Sequence, residues 1–382
     1  MNSMRVLYFS RSYTIHDRRF LTSLSESGHE VFYLRLERDE FVLESRPLPA
    51  GITEVHWKSN PASPSSADRR LRLLPELESI LLQVRPDLVH AGPVPTCGFM
   101  AALSGFRPLL LMSWGSDLLV QAESRPEWRR MTQYALKHSD MLAVDCTTVR
   151  EKAQQLADYP ADRIVQFPWG IDLDAFLPDA EQTILRKVPG WQDAFIILST
   201  RSWEEHYGTM WLLEAFWSAY QADPRLRLAL LGDGSLRAEV SVFVRERDLE
   251  TVVHTPGQIG AEQLPEYFGS ADLFVNPAYS DGTSISLLEA MASALPVVAT
   301  DHASNREWVV SGQGGLLAPF DDTARLRDAL LQIASLPPAT RREWGAYNRK
   351  IAEERADWKK NFPLLLQAYA RIESMYRAGE KA

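Results

Sequence analysis

Residues 273–301 (LFVNPAYSDGTSISLLEAMASALPVVATD) place polar side chains between an apolar strand-like segment and an apolar helix-like segment. The strand ends at Asn276–Pro277, and a polar loop with one glycine follows. The backbone N–H groups of Gly282, Thr283 and Ser284 precede or begin the helix. Free amides and the helix dipole point the same way there, so this turn suits hydroxyl or phosphate oxygens.

Two acidic residues accompany this turn. Asp281 lies just before the helix, and Glu289 lies eight residues later, about two turns inside it. The local interpretation is that Asp281 is an acid at a helix start and that Ser286 and Glu289 form a pair like a capping box. The functional interpretation is that both carboxylates bind a polyhydroxylated ligand. Spacing alone leaves both interpretations open.

The segment 281–292 (DGTSISLLEAMA) resembles the signature of glycosyltransferase family 4, which is an acid, seven residues, and then Glu before Ala-Met-Ala. The family contains retaining enzymes of GT-B fold. The resemblance implies that Glu289 binds the ribose hydroxyls of a nucleotide sugar. It also implies that Asp281 and the amides of Gly282, Thr283 and Ser284 hold the donor sugar. The first acid of the family is usually Glu, so Asp281 is a departure that shortens the side chain by one methylene.

The segment 197–216 (ILSTRSWEEHYGTMWLLEAF) resembles the family's strand, loop and helix whose Arg and Lys bind the diphosphate. Arg201 matches the Arg, and Tyr207 stands at the Lys position. This leaves one fixed cation and a phenol that can donate a hydrogen bond but carries no charge. Without the resemblance, Arg201 would be interpreted as a surface arginine at a strand end.

Two further turns complete the predicted donor site. The turn 255–259 (TPGQI) resembles the family's base-binding turn, where the backbone near Gln258 and Ile259 would contact the nucleobase. Gly232 lies in a glycine turn after a strand. This turn is not a dinucleotide fingerprint, because Arg237 stands where the third small residue belongs.

The N-terminal half departs further from the family pattern. His16 lies in the loop 11–20, where relatives place a glycine-rich loop over the diphosphate, although a solvated basic helix start is an equal alternative. His90 ends a predicted strand. Trp114 replaces the His of a His-Gly-Ser-Asp segment that ends at Asp117. The resemblance implies that His16, His90, Trp114 and Asp117 lie on the acceptor side of the site.

The elements that must position these residues alternate between strands and helices along the chain, and the pattern restarts near Trp191. The first predicted helix covers residues 18–27. The predicted strands cover residues 5–10, 30–36, 87–90, 109–113, 141–144, 194–200, 226–231, 251–254, 273–275 and 296–300. Such alternation predicts parallel sheets covered on both faces. The predicted fold is α/β of GT-B type, with two Rossmann-like doubly wound parallel-sheet domains facing a cleft. We assign residues 1–172 to an acceptor-binding domain, 173–356 to a nucleotide-sugar-binding domain, and 357–382 to a C-terminal helix that packs back on the first domain.

Composition excludes several classes of protein. The 382 residues carry 41 Lys and Arg against 50 Asp and Glu, a formal charge of −9, which argues against a nucleic-acid partner. Cys97 and Cys146 match no metal-ligand spacing and are predicted to be two buried thiols. The sequence has neither a leader pattern nor a membrane span, so we expect a cytoplasmic protein.

One basic, partly aromatic segment suggests contact with the inner face of a membrane, where it would face lipid or a lipid-linked acceptor. It contains Arg125, Trp128, Arg129, Arg130 and Lys137. A solvated helix face is the alternative.

The predicted function is transfer of a sugar from a UDP- or GDP-linked donor to a hydroxyl of a glycan, a lipid-linked saccharide or a small molecule. The resemblance implies neither a cofactor nor a metal, and Arg201, Asp281 and Glu289 are the predicted catalytic residues. The alternative is a catalytically weak or inactive homologue that binds nucleotide sugars or glycans, since Asp281, Tyr207 and Trp114 depart from the family pattern.

Overall fold

The structure is a computed structural model that describes residues 3–37, 44–59, 71–178, 184–377 and Gly379. The chain divides into two compact units. The first contains residues 1–168 together with 362–382, and the second contains residues 169–361. What each unit binds stays a prediction.

The first unit contains one parallel sheet. Its strands, within the described residues, are β1 (Arg5–Ser10), β2 (Glu30–Arg35), β3 (Ile52–Val55), β4 (Leu88–Gly92), β5 (Leu109–Met112), β6 (Met141–Val144) and β7 (Ile164–Gln166). They lie in the order β3-β2-β1-β4-β5-β6-β7. The chain therefore switches direction across the sheet between β1 and β4, which pair directly through Val6 and Leu88.

The second unit repeats this arrangement. Its described strands are β8 (Phe195–Ser199), β9 (Leu226–Leu230), β10 (Val253–His254), β11 (Leu273–Asn276), β12 (Val297–Thr300) and β13 (Gly315–Ala318). Their order is β10-β9-β8-β11-β12-β13, and every pair is parallel. The switch in this unit lies between β8 and β11. In open parallel sheets, ligands bind outside the carboxyl ends of the strands at such a switch.

Helices connect the strands in both units. The described α-helices are α1 (Ile15–Glu26), α2 (Leu74–Val84), α3 (Phe99–Leu103), α4 (Ala122–Ser124), α5 (Pro126–Lys137), α6 (Thr147–Ala157), α7 (Thr209–Ala222), α8 (Arg237–Glu246), α9 (Leu264–Ser270), α10 (Ile285–Ala292), α11 (Ala303–Arg306), α12 (Thr323–Ser335), α13 (Pro338–Arg355) and α14 (Trp358–Arg377). Single turns of 3₁₀-helix occupy Ala161–Arg163, Leu185–Lys187 and Glu205–Tyr207, and single π turns occupy Val94–Gly98 and Asp117–Gln121.

Burial of both sheet faces explains why these segments form central strands. All five residues of β8 are buried. Ile197 packs into one core with α7 and α12, whereas Ile196 and Leu198 pack into another with α9 and α10. Successive side chains of a strand point to opposite faces, so a continuous apolar run fits a sheet that is covered on both sides. The two-domain α/β prediction is confirmed.

Several elements differ from the sequence prediction. The strands β3, β7 and β13 were not predicted. Only partly buried or exposed residues form β3 and β7, and β13 is a four-residue strand that begins with glycine. The helix α1 begins at Ile15 rather than at Arg18, because Thr14 and Asp17 form a capping box that starts it earlier. His16 therefore lies in the first turn of a helix and not in a loop.

Candidate functional site

In the second unit, the predicted donor-site residues follow neighbouring strands at the carboxyl edge of one sheet. Gln258 and Ile259 follow β10, Gly232 follows β9, Arg201 follows β8, and Asp281 follows β11. The order of the strands therefore arranges the predicted base, diphosphate and sugar contacts side by side. The linear sequence does not show that β11 lies beside β8, because β9 and β10 separate these two strands along the chain.

Arg201 is the central cation of this group. Its Nη2 lies 2.8 Å from Oδ2 of Asp281, and both side chains are only 13% exposed. Its Nη1 donates to the hydroxyl of Ser284 at 3.0 Å. Burial lowers the pKa of Arg201, but the charge of Asp281 and the nearby Tyr207 outweigh it, so the pKa of the guanidinium lies above its usual value. The structure thus brings Arg201, Asp281 and Ser284 together.

Tyr207 joins the same cluster. The guanidinium carbon of Arg201 lies 4.1 Å from the centre of the Tyr207 ring, which is a cation–π geometry. Burial raises the pKa of Tyr207, although the charge of Arg201 opposes the shift, so the phenol is neutral near pH 7. Burial and the charge of Arg201 also lower the pKa of His206. Neither side chain adds a fixed positive charge to the site.

Gly208 determines how close the two loops of the site can approach, and the sequence interpretation missed it. Its φ is +69°, and a Cβ atom built there would collide with the backbone carbonyl of Pro277. The backbone N–H of Tyr279 donates to the carbonyl of His206 at 3.1 Å. These two contacts hold the loop that carries Tyr207 against the loop that carries Asp281. The sequence feature that could have identified this position is a glycine between Tyr207 and the start of α7.

The start of α10 contradicts the local interpretation of its acidic residues. The N-cap is Ser284, so Ser286 lies inside the helix, and a capping box between Ser286 and Glu289 is wrong. The Ser284 side chain makes no cap hydrogen bond and instead accepts from Arg201. Asp281 lies three residues before the cap and pairs with Arg201. Glu289 is a buried carboxylate in the second turn of α10.

The remaining loops of this edge pack closely on the arginine. Thr283 and Ser284 are buried, and the Ser304 hydroxyl donates to the backbone oxygen of Asp281 at 2.9 Å. A Cβ atom at Gly232, whose φ is +113°, would lie 2.5 Å from the carbonyl oxygen of Arg201. Gly282 lies between Asp281 and Thr283 in the same loop.

The predicted base turn is joined to this arrangement through the backbone. The N–H of Gly232 donates to the carbonyl of Gly257 at 2.9 Å, which ties the turn after β9 to the turn after β10. Gln258 is exposed, and Ile259 is half-buried against the core of the unit. A backbone turn next to an apolar side chain and an exposed amide suits a planar heterocycle with hydrogen-bonding edges.

His302 is a second residue that the sequence interpretation missed. It follows β12, and its Nδ1 accepts the backbone N–H of Asn305 at 3.4 Å to cap α11. Burial lowers its pKa, and the charges of Asp281 and Asp301 partly oppose the shift. The cap leaves the neutral tautomer with its proton on Nε2, facing away from the cap. Nothing in the sequence indicated this role, because His302 belongs to no motif with a characteristic spacing.

In the first unit, the structure brings His16 and Trp114 together. Their ring centres lie 5.8 Å apart, and Phe20 packs 6.0 Å from Trp114. Both predicted residues are half-buried and follow the ends of β1 and β5, two strands that flank β4. They lie at the carboxyl edge of this sheet, on both sides of its switch.

His90 and Asp117 lie in the interior of the first unit. The Nδ1 of His90 lies 2.7 Å from the hydroxyl of Tyr369, and burial lowers the pKa of His90 to about 3. Asp117 accepts from the hydroxyl of Ser113 at 2.6 Å and from the backbone N–H of Val94 at 2.8 Å. Burial raises the pKa of Asp117, against these hydrogen bonds. Both arrangements tie neighbouring elements together.

Other predictions from the sequence have mixed outcomes. Cys97 and Cys146 are both free and buried, so the prediction of two buried thiols is confirmed. Among the described residues, no group of three or more His, Cys, Asp or Glu side chains is arranged to hold a metal ion. Of the helices that the structure describes, none combines the length and the apolar composition needed to cross a bilayer.

The basic segment predicted to face lipid lies on α5 and just before it. Arg129 pairs with Glu123 at 2.8 Å, and Arg125 lies 3.9 Å from Glu127, so two of its charges have acidic neighbours. Arg130 and Lys137 are exposed. Membrane contact stays a prediction.

Family models match both halves of the chain. One described as glycosyltransferase family 4 matches residues 16–175, and one described as glycosyl transferases group 1 matches residues 181–351. The D-inositol 3-phosphate glycosyltransferase of Pseudarthrobacter chlorophenolicus is 29% identical over 261 residues, which cover 66% of this chain and 61% of the relative. The GDP-mannose-dependent alpha-mannosyltransferase of Mycolicibacterium smegmatis is 25% identical over 316 residues, 79% of each chain. The chain spans 61% and 63% of the lengths of the first two curated relatives it matches.

Solved structures share the fold. The sucrose-phosphate synthase of Thermosynechococcus elongatus has a TM-score of 0.78 and 18% identity, with 98% of this chain and 99% of that chain covered. The Anabaena Alr3699/HepE protein in complex with UDP-glucose has a TM-score of 0.78 and 17% identity, with 97% of this chain and 100% of that chain covered. The architecture of this chain is therefore GT-B.

Proposed function

Because this chain belongs to glycosyltransferase family 4, we propose that it transfers a sugar from a nucleoside diphosphate sugar to an acceptor hydroxyl, with retention of configuration at the anomeric carbon. The acceptor is a glycan, a lipid-linked saccharide or a small molecule. The proposal includes a cytoplasmic location, with peripheral contact at the inner face of a membrane when the acceptor is lipid-linked.

The observation that carries this proposal is the order of residues along the carboxyl edge of the second sheet. Four strands that are neighbours in the sheet, β10, β9, β8 and β11, are each followed by one part of the predicted site. These parts are, in the same order, the predicted base turn at Gln258–Ile259, the glycine turn at Gly232, the cation Arg201 and the polar loop 281–284. Base, diphosphate and sugar follow one another in the same order in a nucleotide sugar. Adjacent parallel strands lie ~4.8 Å apart, so four strands span about 14 Å, which fits such an extended ligand.

The chemistry follows from the charges at the centre of this edge. The bond between the anomeric carbon and the diphosphate oxygen breaks, and negative charge develops on the diphosphate. Arg201 and the hydroxyl of Tyr207 stabilise that charge, together with the amides that begin α10. The acceptor hydroxyl attacks from the face that the diphosphate leaves, forms the new C–O bond, and passes its proton to a phosphate oxygen. This route needs no protein nucleophile.

The two carboxylates have separate roles in this proposal. Asp281 and the backbone of Gly282, Thr283 and Ser284 hold hydroxyls of the donor sugar, while Glu289 holds the ribose hydroxyls. Binding of an anionic donor redistributes the contacts of Arg201, which now lies against Asp281. In the proposed complex, the donor diphosphate contacts guanidinium atoms of Arg201 that contact the Asp281 carboxylate in this structure.

A thermal-shift panel of UDP-, GDP- and ADP-sugars tests donor binding, because a ligand that binds only the folded state raises its melting temperature. The panel is motivated by the GDP-mannose dependence of one relative and by the UDP-glucose in one solved structure. We expect the nucleotide sugars of one base to raise the melting temperature of the protein. Glu289→Ala should lower the affinity for that donor at least about tenfold. Glu354→Ala, at an exposed position of α13, is the matched control.

Product analysis tests the reaction itself. Proton NMR of the product formed from an α-linked donor is expected to show an α linkage. A β linkage would contradict retention but not transfer. Absence of stabilisation by every nucleotide sugar of the panel would contradict the donor site.

A second candidate function is binding of a nucleotide sugar without turnover. Two observations favour it. The charge of Arg201 is already compensated by Asp281, and neutral Tyr207 stands where a second cation is expected. Titration calorimetry with the stabilising nucleotide sugar, followed by measurement of slow donor hydrolysis, separates the candidates. Binding with neither hydrolysis nor transfer would favour the binding protein.

A further inference from the structure

The loop after β8 lies along the turn after β9 and is joined to it through the backbone. The N–H of Trp203 donates to the carbonyl of Asp233 at 2.9 Å, and the N–H of Leu236 donates to the carbonyl of Trp203 at 3.0 Å. The Trp203 side chain is buried in the core of the unit. These contacts hold the residues that directly follow Arg201 against the turn that leads into α8.

Glu204 adds a side-chain link between the same two segments. Its Oε1 accepts the backbone N–H of Ser235 at 3.0 Å, and its Oε2 accepts the hydroxyl of Ser235 at 2.5 Å. Hydrogen bonds to a carboxylate are about twice as strong as those between neutral groups. Both oxygens of this carboxylate therefore bind one residue, which lies two positions before α8 begins at Arg237.

The Glu204 carboxylate lies where an anion would bind at the start of a helix. Free N–H groups and the positive end of the helix dipole attract phosphate to such a position. In this turn, however, the N–H groups of Ser235 and Leu236 already bind the loop after β8. Three others have acceptors at 2.9 to 3.1 Å: Gly232 donates to the Gly257 carbonyl, Gly234 to the Asp233 side chain and Arg237 to the Gly234 carbonyl. The turn therefore supports the loop after β8 rather than a diphosphate.

Two glycines allow the loop and the turn to approach this closely. A Cβ atom at Gly232 would lie 2.5 Å from the carbonyl oxygen of Arg201. A Cβ atom at Gly234 would lie 2.5 Å from the carbonyl oxygen of Trp203 and 2.7 Å from Oε1 of Glu204. A side chain at either position would displace the loop, so the shape of the turn fits the loop after β8.

The loop after β8 is held on its other side as well. Gly208, at its end, lies against the Pro277 carbonyl in the loop after β11. Within the loop, the N–H of Tyr207 donates to the carbonyl of Glu204 at 2.9 Å, so a shift of Glu204 moves Tyr207 directly. The loop that carries Arg201 and Tyr207 is therefore fixed between two neighbouring segments of the same edge.

We infer that Glu204 is a positioning residue, whose carboxylate takes the place of an anion at the start of α8 and fixes Arg201 and Tyr207 before the donor binds. This inference rests on the proposed function, because the donor diphosphate gives Arg201 and Tyr207 their role. The diphosphate is then bound by Arg201, Tyr207 and the amides that begin α10, while the turn after β9 supports them.

Titration calorimetry of the full chain with UDP and with GDP tests the inference. Glu204→Ala removes both hydrogen bonds to Ser235. Glu204→Gln removes the charge but keeps an oxygen that can accept one of them. Glu205→Ala is the matched control, because Glu205 is the next residue, is exposed and carries the same charge. Both alanine variants therefore remove one negative charge from the same loop, and only Glu204→Ala removes the link to Ser235.

A positioning role and a purely electrostatic role predict opposite changes in affinity. Loss of a negative charge near the diphosphate should by itself strengthen binding, and in Glu205→Ala by less than about twofold because solvent and salt screen the charge. Glu204→Ala should instead weaken binding of the preferred nucleoside diphosphate about tenfold, and Glu204→Gln about threefold, because binding must then order the loop. Unchanged or tighter binding by Glu204→Ala would overturn the inference, and so would equal weakening by Glu205→Ala.

Hydrogen exchange of the chain without nucleotide separates this inference from the proposed function. Peptides that cover residues 201–208 should exchange at least about tenfold faster in Glu204→Ala than in the wild type or in Glu205→Ala, because the loop opens more often. Exchange as slow as in the wild type would overturn the inference even when nucleotides bind. Faster exchange with wild-type nucleotide affinity would also overturn it, since Arg201 would then not depend on the link.

A wild-type chain that binds neither UDP nor GDP would contradict the donor site. Faster exchange in Glu204→Ala alone would in that case still establish that Glu204 holds the loop. Melting temperatures show whether each variant has folded, and Glu204→Gln serves in place of Glu204→Ala when the alanine variant does not fold.

Discussion

The guanidinium of Arg201 and the carboxylate of Asp281 form an ion pair across the switch point of the second sheet, with 2.8 Å between Nη2 and Oδ2. Arg201 follows β8 and Asp281 follows β11, two strands that are adjacent in space but separated by two others in the chain. The pair therefore joins the predicted phosphate contact directly to the predicted sugar contact.

Replacing Asp281 by Asn is expected to lower stability and raise affinity for free UDP or GDP. The change leaves a mostly buried guanidinium without its charge partner, which we expect to lower the free energy of unfolding by about 2 kcal/mol. The released charge then attracts a diphosphate more strongly. Urea unfolding and titration calorimetry measure the two effects. Glu354→Gln, which changes an exposed contact with Lys350, should alter stability by less than about 0.5 kcal/mol. Equal losses in both variants would contradict the buried pair.

Replacing Tyr207 by Lys should strengthen nucleoside diphosphate binding by about three- to tenfold, because it adds a second cation beside Arg201, whose guanidinium lies 4.1 Å from the centre of the present tyrosine ring. Affinity should then fall more steeply with salt. Tyr207→Phe keeps the ring over Arg201 but removes the hydroxyl, so it should weaken binding slightly. Titration calorimetry at two salt concentrations measures these changes. Weaker binding by the lysine variant would show that Tyr207 does not stand at a phosphate contact.

Gly208→Ala should destabilise the chain more than Gly190→Ala. Both glycines have a positive φ, +69° and +78°, so an added Cβ strains both backbones by about 1 kcal/mol. Only at Gly208 does the new atom also meet a backbone carbonyl, that of Pro277, whereas Gly190 has open space around it. The difference in the free energy of unfolding, measured in urea, isolates the collision. Equal losses would mean that the two loops can move apart freely.

Acid should destabilise the first unit through His90. Burial lowers the pKa of His90 to about 3, below the ordinary value of about 6.5, so the unfolded chain binds more protons between these values. The contribution is present in full above pH 6.5 and is lost as the pH falls, at up to about 1.4 kcal/mol per pH unit.

Urea unfolding of the wild-type chain and of His90→Gln from pH 7.5 to 5 tests this contribution. The stability difference between the two proteins should shrink as the pH falls, because glutamine does not titrate. A difference that stays constant over this range would contradict a neutral buried His90. Tyr369→Phe removes the hydrogen bond but keeps the buried ring, so it should lower stability without changing the pH dependence much.

Much of the fold could be predicted because its central strands are continuous apolar runs. The strands β1 and β6 have the predicted bounds, since burial on both faces of a sheet favours mostly apolar residues. The edge strands β3, β7 and β13 were not predicted, because an edge strand needs little apolar character. The helix start at Ile15 also escaped, because a short-range cap decided it.

The residue types of the candidate site could also be predicted, but their contacts could not. The motif identified Asp281 and Glu289, and the strand-loop-helix identified Arg201 and Tyr207. Gly208 and His302 have no motif of their own, and their positions follow from a close loop approach and from a helix cap. The approach of Gly208 to Pro277 depends on residues that are distant in the chain, whereas His302 caps a helix through Asn305, three residues away.

The alternation of strands with helices in two similar halves and the residue pattern of family 4 can both be seen in the amino-acid sequence. These properties depend on local periodicity and on short motifs. The pairing of Arg201 with Asp281 and the burial of His90 against Tyr369 become visible only in the folded chain. The physical reason is that parallel strands bring distant loops to one edge, where packing and charge select the contacts.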